Sequence, residues 1–511
     1  MDMHWADKAA ERVIKEKGNK SGYVCASGIT PSGTIHIGNF REIITTDLIA
    51  KALQKKGKSV KFLYSWDDFD RLRKIPPNVD KKWAGYIGMP PSKVPDPFNC
   101  HESYALHFEK ELEKGIEGLG FDVEFIRQSE MYGSCKYAKD IRIALNNKDK
   151  ARKILNKYRK EPLKEDWIPL TVYCEKCGKD NTKVLNYDGD LKIKYECDCG
   201  YSDEVDFSKR GIVKLPWRLD WPMRWNYEKV DFEPGGKDHS TPGGSYDTGK
   251  QIIKAIWNRD APTYQLYEWI SIKGGGQFSS SEGVITTPKE VLEVYEPKVL
   301  RWLFAGTKPG KEFSISFDLD VLQLYEDFDE CERIYFDEQA VGNEKEKLNQ
   351  KRIYELSCIN IPKKFPEQPG FRHLTVLAQI YGGDLVKATK GYNDKSVKVR
   401  AQCAYNWIQK YAPEDMKFKV HIKISDEIKD LLSDKQKKAL NLLKGKLEKN
   451  NYDNQSLFNE FYKICEEAGI KNTDFFEGAY LALIGKKKGP KLANFILALG
   501  KERVIKLLNE L

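Results

Sequence analysis

Pro31-Ser32-Gly33-Thr34-Ile35-His36-Ile37-Gly38-Asn39 stands between an apolar run, Tyr23-Val24-Cys25-Ala26, and a helix-type run, Phe40 to Leu53. A turn of Pro, Ser, Gly and Thr between a strand and a helix presents backbone N–H groups at a helix N-terminus, which is a ready anion site. His36 adds a side-chain donor beside a phosphate bound there. This reading predicts a parallel α/β sheet with a phosphate cradle after its first strand.

The neighbouring sequence repeats the rhythm. Strands are expected at Gly22–Ser27, Ser59–Trp66 and Asp122–Arg127, and helices at Arg41–Lys55, Glu102–Gly118 and Lys136–Asn156. Strands alternating with helices imply βαβ units. A long loop from Pro76 to Pro97 holds six prolines and reads as functional or externally held. The pattern breaks at about 165–212 and resumes at Ile212, so the α/β domain is split by an insertion. From Pro288 onward the sequence is mostly amphipathic helix, with strong runs at Ser425–Glu448, Gln455–Ala468, Phe475–Gly485 and Lys491–Leu511.

The 511 residues suffice for three or more domains, and 40% hydrophobic with 32% charged residues describe a globular chain. No apolar run is long enough to span a bilayer, and Met1–Lys20 lacks the form of a secretory leader, so a cytoplasmic protein is expected. Net charge is +9, but residues 351–511 carry 30 Lys/Arg against 19 Asp/Glu, and the remainder is nearly neutral. A basic C-terminal third suggests a polyanion partner. Its densest basic patch is Lys486, Lys487, Lys488 and Lys491.

Two cysteine-containing clusters point to metal. Cys174-x2-Cys177 and Cys197-x-Cys199 form two short knuckles with the composition of a closed tetrahedral Zn²⁺ site, structural because no open position remains. Gly178 and Gly200 follow the two pairs and relieve strain at the turns. Asp96, Cys100, His101 and His107 fall in one window and form a candidate second site. Far downstream, Lys273-Gly274-Gly275-Gly276-Gln277-Phe278-Ser279-Ser280-Ser281-Glu282-Gly283 offers a hydroxyl-rich loop. Two such loops bracketing a split α/β domain fit one ATP across the switch point of the sheet. Between them lie Trp217, Asp220, Trp221 and Arg224, then Gly236-Lys237-Asp238-His239. These suit a pocket for a cationic amino acid, or equally tryptophans packed in a core.

Taken together, these residues resemble the class I lysyl-tRNA synthetases of archaeal type. The similarity runs through Gly28-Ile29-Thr30-Pro31-Ser32-Gly33, His36-Ile37-Gly38-Asn39 (a HIGH-type motif with Asn last), Trp66-Asp67-Asp68-Phe69-Asp70-Arg71, the four-cysteine segment, Trp217–Trp225, Gly236–His239, the Gly/Ser loop and Phe475–Lys491. It implies a Rossmann-type catalytic domain split by a zinc-ribbon insertion, followed by an all-α anticodon-binding region. The implied divisions are 1–160 and 213–287 for the catalytic halves, 161–212 for the insertion, 288–350 for a helical stem-contact linker and 351–511 for the anticodon-binding domain.

The resemblance also implies ATP-dependent attachment of L-lysine to tRNA(Lys) through lysyl-adenylate. ATP with Mg²⁺ and structural Zn²⁺ are the cofactors, one zinc or two, and neither DNA nor membrane is a partner. ATP contacts fall on Pro31, Ser32, Gly33, His36 and Asn39, with Gly38 beside them, and on Gln277, Phe278, Ser279, Ser280 and Ser281. That last segment stands where the class has KMSKS and lacks both lysines; Lys273 and Mg²⁺ are the candidate substitutes. Lysine contacts fall on Gly28, Thr30, Trp217, His239 and Tyr267. Asp220 is the candidate acid for the lysine side chain, with Asp67 and Asp68 as alternatives. The rival readings are a class I synthetase for glutamate, arginine or cysteine, and an inactive synthetase-like RNA-binding protein.

Overall fold

The computed structural model describes residues 3–274, the backbone of 276–277, and residues 286–392 and 395–511. These divide into two compact units: residues 1–291, 297–315 and 340–361 form the first, and 292–296, 316–339 and 362–511 the second.

The first unit is built on β1 (Gly22–Ile29), β2 (Ser59–Trp66), β3 (Glu124–Arg127), β9 (Phe232–Gly236) and β10 (Thr263–Tyr267). Between β3 and β9 come β4 (Thr171–Val172), β5 (Thr182–Tyr187), β6 (Lys192–Cys197), β7 (Ser202–Asp206) and β8 (Val213–Lys214). The main sheet runs β10-β9-β1-β2-β3, with every neighbouring pair parallel. The chain moves outward from β1 to β2 and β3, then returns to the other side of β1 with β9 and β10. The switch point therefore lies between β1 and β9, where ligands of open α/β sheets bind. β1 and β2 pair in register from Gly22↔Ser59 to Ile29↔Trp66. At Gly28 a Cβ would stand 2.6 Å from the Ser65 carbonyl oxygen, so the close approach of these strands needs glycine.

The helix after β1, Ile37–Lys55, is buried along most of its length. Such a helix shows little amphipathic periodicity because the sheet and its neighbours cover it on several sides. Its buried Arg41 donates to the carbonyls of Trp269, Lys308, Pro309 and Lys311, which anchors the start of the helix to the far end of the unit. Its Asp47 pairs at 2.6 Å with Arg301, itself fully buried.

The insertion is a three-stranded antiparallel sheet, β5-β6-β7, with β4 and β8 pairing at its base. Ile193, Tyr195 and Val205 join a core with Met131, Tyr132 and Leu219. The expected helix Lys136–Asn156 forms as two, Ala138–Asn146 and Lys148–Asn156, with Asn147 between them. After β10, β11 (Ile270–Ile272), β12 (Gly276–Gln277) and β13 (Phe313–Ile315) make a separate small sheet.

The second unit is helical. Leu443, Phe461, Phe475 and Ile496 are among the side chains of its core. The expected run Ser425–Glu448 forms as Asp426–Leu431 and Asp434–Lys449, because Ser433 and Gln436 close a capping box that starts the second helix. The run Lys491–Leu511 likewise breaks at Gly500, where φ is 89°. Arg400, fully buried, bonds Glu296 at 2.6 Å and Asp329 at 2.8 Å.

Candidate active site at the switch point

The turn after β1 forms one wall of a cavity of about 270 Å³ lined by Thr30, Ser32, Gly33, His36, Asn39 and Lys74, among others. The local structure explains its shape. Ser32 N–H donates to Thr30 O at 2.8 Å, and Tyr104 Oη donates to Ser32 O at 2.8 Å. Pro76 packs on Gly33, where a Cβ would lie 3.2 Å from its Cγ. The N-terminus of Ile37–Lys55 opens beside the cavity, so its dipole favours an anion there. Burial pushes His36 down to about 4, so a neutral imidazole faces the site at physiological pH. Asn39 N–H turns back to His36 O at 3.0 Å, and Ile37 N–H bonds Thr286 O at 2.8 Å. Pro31 is buried behind the turn, and Gly38 is not among the lining residues. Lys74 is the residue that the sequence reading missed; its only signal is a basic run, Arg71–Lys74, leading into the proline-rich loop.

Of the second expected phosphate loop, Gln277 pairs through its backbone with Ser271. Phe278, Ser279, Ser280 and Ser281 lie outside the described residues.

The candidate lysine contacts gather at the C-terminal ends of β1, β9 and β10. Gly28 lies near the end of β1 and Thr30 directly follows the strand, and Tyr267 ends β10 beside Gly236 of β9. His239 follows β9, with its ring 5.5 Å from Trp221, and Trp217 stacks on Trp221 at 5.0 Å. Trp221 and Trp225 are buried in a core cluster against which Trp217 packs, while Trp217, Thr30, His239 and Tyr267 keep part of their surface open.

Asp220, one candidate acid for the substrate's ammonium, is compensated from within. It is 1% exposed and accepts from Tyr132 Oη. It also pairs with Lys214 at 2.9 Å and Arg224 at 3.3 Å. Burial opposes its charge, but Lys214 and Arg224 overcome that and hold it below the usual range. The alternatives are committed as well. Asp67 pairs with Arg224 at 2.6 Å, and Asp68 accepts the Ser129 amide at 2.8 Å together with the Ser129 hydroxyl. Two further carboxylates escaped the sequence reading, Glu233 and Glu42. Glu233 accepts from the indoles of Trp221 at 3.0 Å and Trp225 at 2.6 Å. Glu42 accepts from Gly28 N–H at 3.0 Å and Tyr267 Oη at 2.9 Å.

Both metal-type clusters assemble. Cys174 and Cys199 sulfurs are 3.7 Å apart, and those of Cys177 and Cys197 are 3.6 Å apart. Four sulfurs about 2.3 Å from a central Zn²⁺ would stand near these separations. Gly178 and Gly200 adopt φ of +74° and +81°, as the knuckle turns require. Cys100 Sγ lies 3.1 Å from His101 Nδ1 and 3.2 Å from His107 Nδ1, with Asp96 Oδ1 3.5 Å from His107 Nδ1. One S, two N and one O donor within 4.8 Å of each other suit a tetrahedral ion. His101 reaches the group from the loop before the helix Tyr104–Gly115, and His107 from the helix itself, which is how residues off one helical face converge.

A parallel sheet with a phosphate-type cradle at its switch point, an insertion between its halves and a helical C-terminal unit define an ATP-using tRNA synthetase architecture of class I. The family model described as "tRNA synthetases class I (K)" matches residues 3–360, and one described as "Anticodon binding domain" matches residues 410–511. The chain belongs to the class I (K) tRNA synthetases. It is 47% identical over 517 residues to a lysine–tRNA ligase of Borreliella burgdorferi, covering 99% of this chain and 98% of that one. It is 41% identical over 530 residues to a lysine–tRNA ligase of Pyrococcus horikoshii, covering 99% of each. Among solved structures, a glutamate tRNA ligase from Elizabethkingia meningosepticum is similar with a TM-score of 0.46 and 12% identity, covering 96% of this chain and 98% of that one.

Proposed function

We propose that the protein attaches L-lysine to the 3′ end of tRNA(Lys) in two steps. In the first, a lysine carboxylate oxygen attacks the α-phosphorus of ATP in line. The bond to the β-phosphate breaks, and lysyl-adenylate and pyrophosphate result. In the second, a hydroxyl of the terminal ribose attacks the lysyl carbonyl, loses its proton, and AMP leaves. The observation that carries this reading is full-length similarity to lysine–tRNA ligases, with the cradle and the cleft side by side at one switch point.

The chemistry needs no protein nucleophile, so the chain's contribution is positioning and charge stabilisation. His36 and Asn39 hold phosphate oxygens, and Pro31, Ser32 and Gly33 shape the turn around them. Lys74 supplies a cation to the same cavity. In this reading Gln277–Ser281 contact pyrophosphate, and Mg²⁺ bound with ATP would neutralise phosphate charge. Gly28, Thr30, Trp217, His239 and Tyr267 receive lysine. The four cysteines would hold one structural zinc, and Asp96, Cys100, His101 and His107 a second. The helical unit binds the tRNA anticodon through its basic face. Among the described residues no helix is long and apolar enough to cross a membrane, and we place the enzyme in the cytoplasm.

The test is ATP–pyrophosphate exchange across an amino-acid panel, with and without tRNA. Lysine alone should support exchange. Exchange with glutamate, arginine or cysteine would assign a different class I activity, and none with any amino acid would assign an inactive RNA-binding protein.

A further inference from the structure

Resting on the reading of Gln277–Ser281 as the second phosphate-contacting segment, we infer that Arg41 is a positioning residue of the activation step. Its guanidinium sets where that segment stands relative to the cradle at Pro31–Asn39.

The inference comes from an arginine with no acid. Arg41 is 2% exposed, and among the described residues no carboxylate lies within ion-pair distance of it. The other buried arginines, Arg224, Arg301 and Arg400, each pair with a carboxylate at 2.6 Å. Arg41 instead gives its N–H groups to backbone carbonyls. Nη1 donates to Trp269 at 3.2 Å, and Nη2 to Lys308, Pro309 and Lys311 at 3.1, 2.7 and 2.8 Å. The Phe313 ring lies 5.1 Å from its guanidinium carbon. Burial lowers Arg41 to about 10, partly offset by Tyr267, Glu268 and Glu312, so it keeps its charge and all its donors at pH 7.

These carbonyls share a location. Trp269 immediately precedes β11, and Lys308–Lys311 lead into β13. β11 and β13 are parallel, from Ile270↔Phe313 to Ile272↔Ile315. β11 also carries β12, where Gln277 pairs with Ser271. One side chain on the cradle helix thus holds the starts of both strands on which the second segment is built. The chain beyond that segment is tied to the same helix, because Ile37 N–H donates to Thr286 O at 2.8 Å. Arg41 stands about one turn after Ile37.

A buried guanidinium with no counter-charge costs stability that apolar packing would not. What it supplies is direction, through a planar fork whose donors point at fixed angles. That direction is needed because the small sheet and the main sheet share no strand. Ladder hydrogen bonds therefore carry no register from one to the other. In-line attack on the α-phosphorus depends on where the phosphates are held, and a misplacement of about 1 Å can cost about 100-fold in rate.

The assay is lysine-dependent ATP–pyrophosphate exchange with tRNA present. No exchange by the unaltered protein would remove the lysine reading, and with it the step that Arg41 serves. Given exchange, Arg41→Gln should lower its kcat about 100-fold and raise the pyrophosphate KM about tenfold. Lysine binding, measured by calorimetry without ATP, should stay within about threefold of the original. Arg41→Lys keeps the charge and some of the donors and should recover part of both losses. A merely structural arginine predicts a lower thermal midpoint with both kinetic values near the original. A folded Arg41→Gln protein within about threefold on both would therefore overturn the assignment. So would an equal loss of lysine affinity, since the fault would then lie in the whole unit. Should Arg41→Gln fail to fold, Arg41→Lys decides. A kcat about tenfold lower at unchanged lysine affinity supports the assignment, and a kcat within about threefold of the original overturns it.

Discussion

His36 shows how one residue's surroundings set its chemistry. Its ring is neutral because burial lowers its proton affinity to about 4, so in the proposed ATP site it would donate one hydrogen bond to phosphate without adding a counter-charge. His36→Asn should reduce lysine-dependent exchange by about 100-fold, the scale of losing one anion-stabilising donor; a variant with near-normal exchange would remove His36 from the ATP site. The same burial couples the residue to stability. Between about 4 and the ordinary histidine value of 6.5 the unfolded chain binds a proton that the native chain does not. The contribution of His36 is therefore present above 6.5 and is lost as pH falls toward 4. Urea midpoints of the original protein and of His36→Asn, compared across that window, should show the original protein losing more stability on acidification. At this scale the identity of His36 was legible, since a histidine beside a Gly-rich turn has few roles. Its neutrality was not, because desolvation depends on what packs around it.

Elements behave according to how local their causes are. The knuckles of the insertion need only Cys at short spacing and glycine at positive φ, and both are visible in the chain. Their sulfurs converge as the spacing predicts. Cys177→Ser should lower zinc by one ion per chain in native mass spectrometry and lower the thermal midpoint, since a structural site contributes folding energy directly. Unchanged metal content would contradict the four-thiolate site. Helix ends were less legible. Asn147, Ser433 and Gly500 each break a run whose apolar periodicity continues across the break. Periodicity reports the buried face, whereas the stop is set by a cap or a backbone angle at one residue. The buried pairs are less legible still. Arg400 reads as one more charge on an amphipathic helix, yet it is fully buried between Glu296 and Asp329. Arg400→Met should cost about 3–5 kcal/mol in urea unfolding of the helical unit, because two carboxylates lose their cation in a dry interior.

For the whole molecule, the charge distribution carries the functional division. The first unit holds the switch point, and the helical unit carries the basic third. Lys488 and Lys491 line an open groove of about 670 Å³ with Arg372 and Phe418, a surface suited to unstacked bases beside phosphate. Replacing Lys486, Lys488 and Lys491 with Ala should weaken tRNA binding and flatten its salt dependence by about 2–3 units of log–log slope, while leaving lysine affinity unchanged. Filter binding across a salt series checks this, and an unchanged slope would move the RNA contact elsewhere. The fold class, the family, the cradle, both metal-type clusters and the basic helical third were all readable from the chain. Each rests on periodicity or on chemistry packed into a short window, and such signals survive without coordinates. Only the tertiary structure decided how each acid is compensated. Asp220 is silenced by Lys214, Arg224 and Tyr132, and Lys74 joins the cradle from another loop. Glu42 meets Gly28 and, 225 residues away, Tyr267. Pairing and desolvation are properties of the packed neighbourhood, so no local pattern in the chain could assign them.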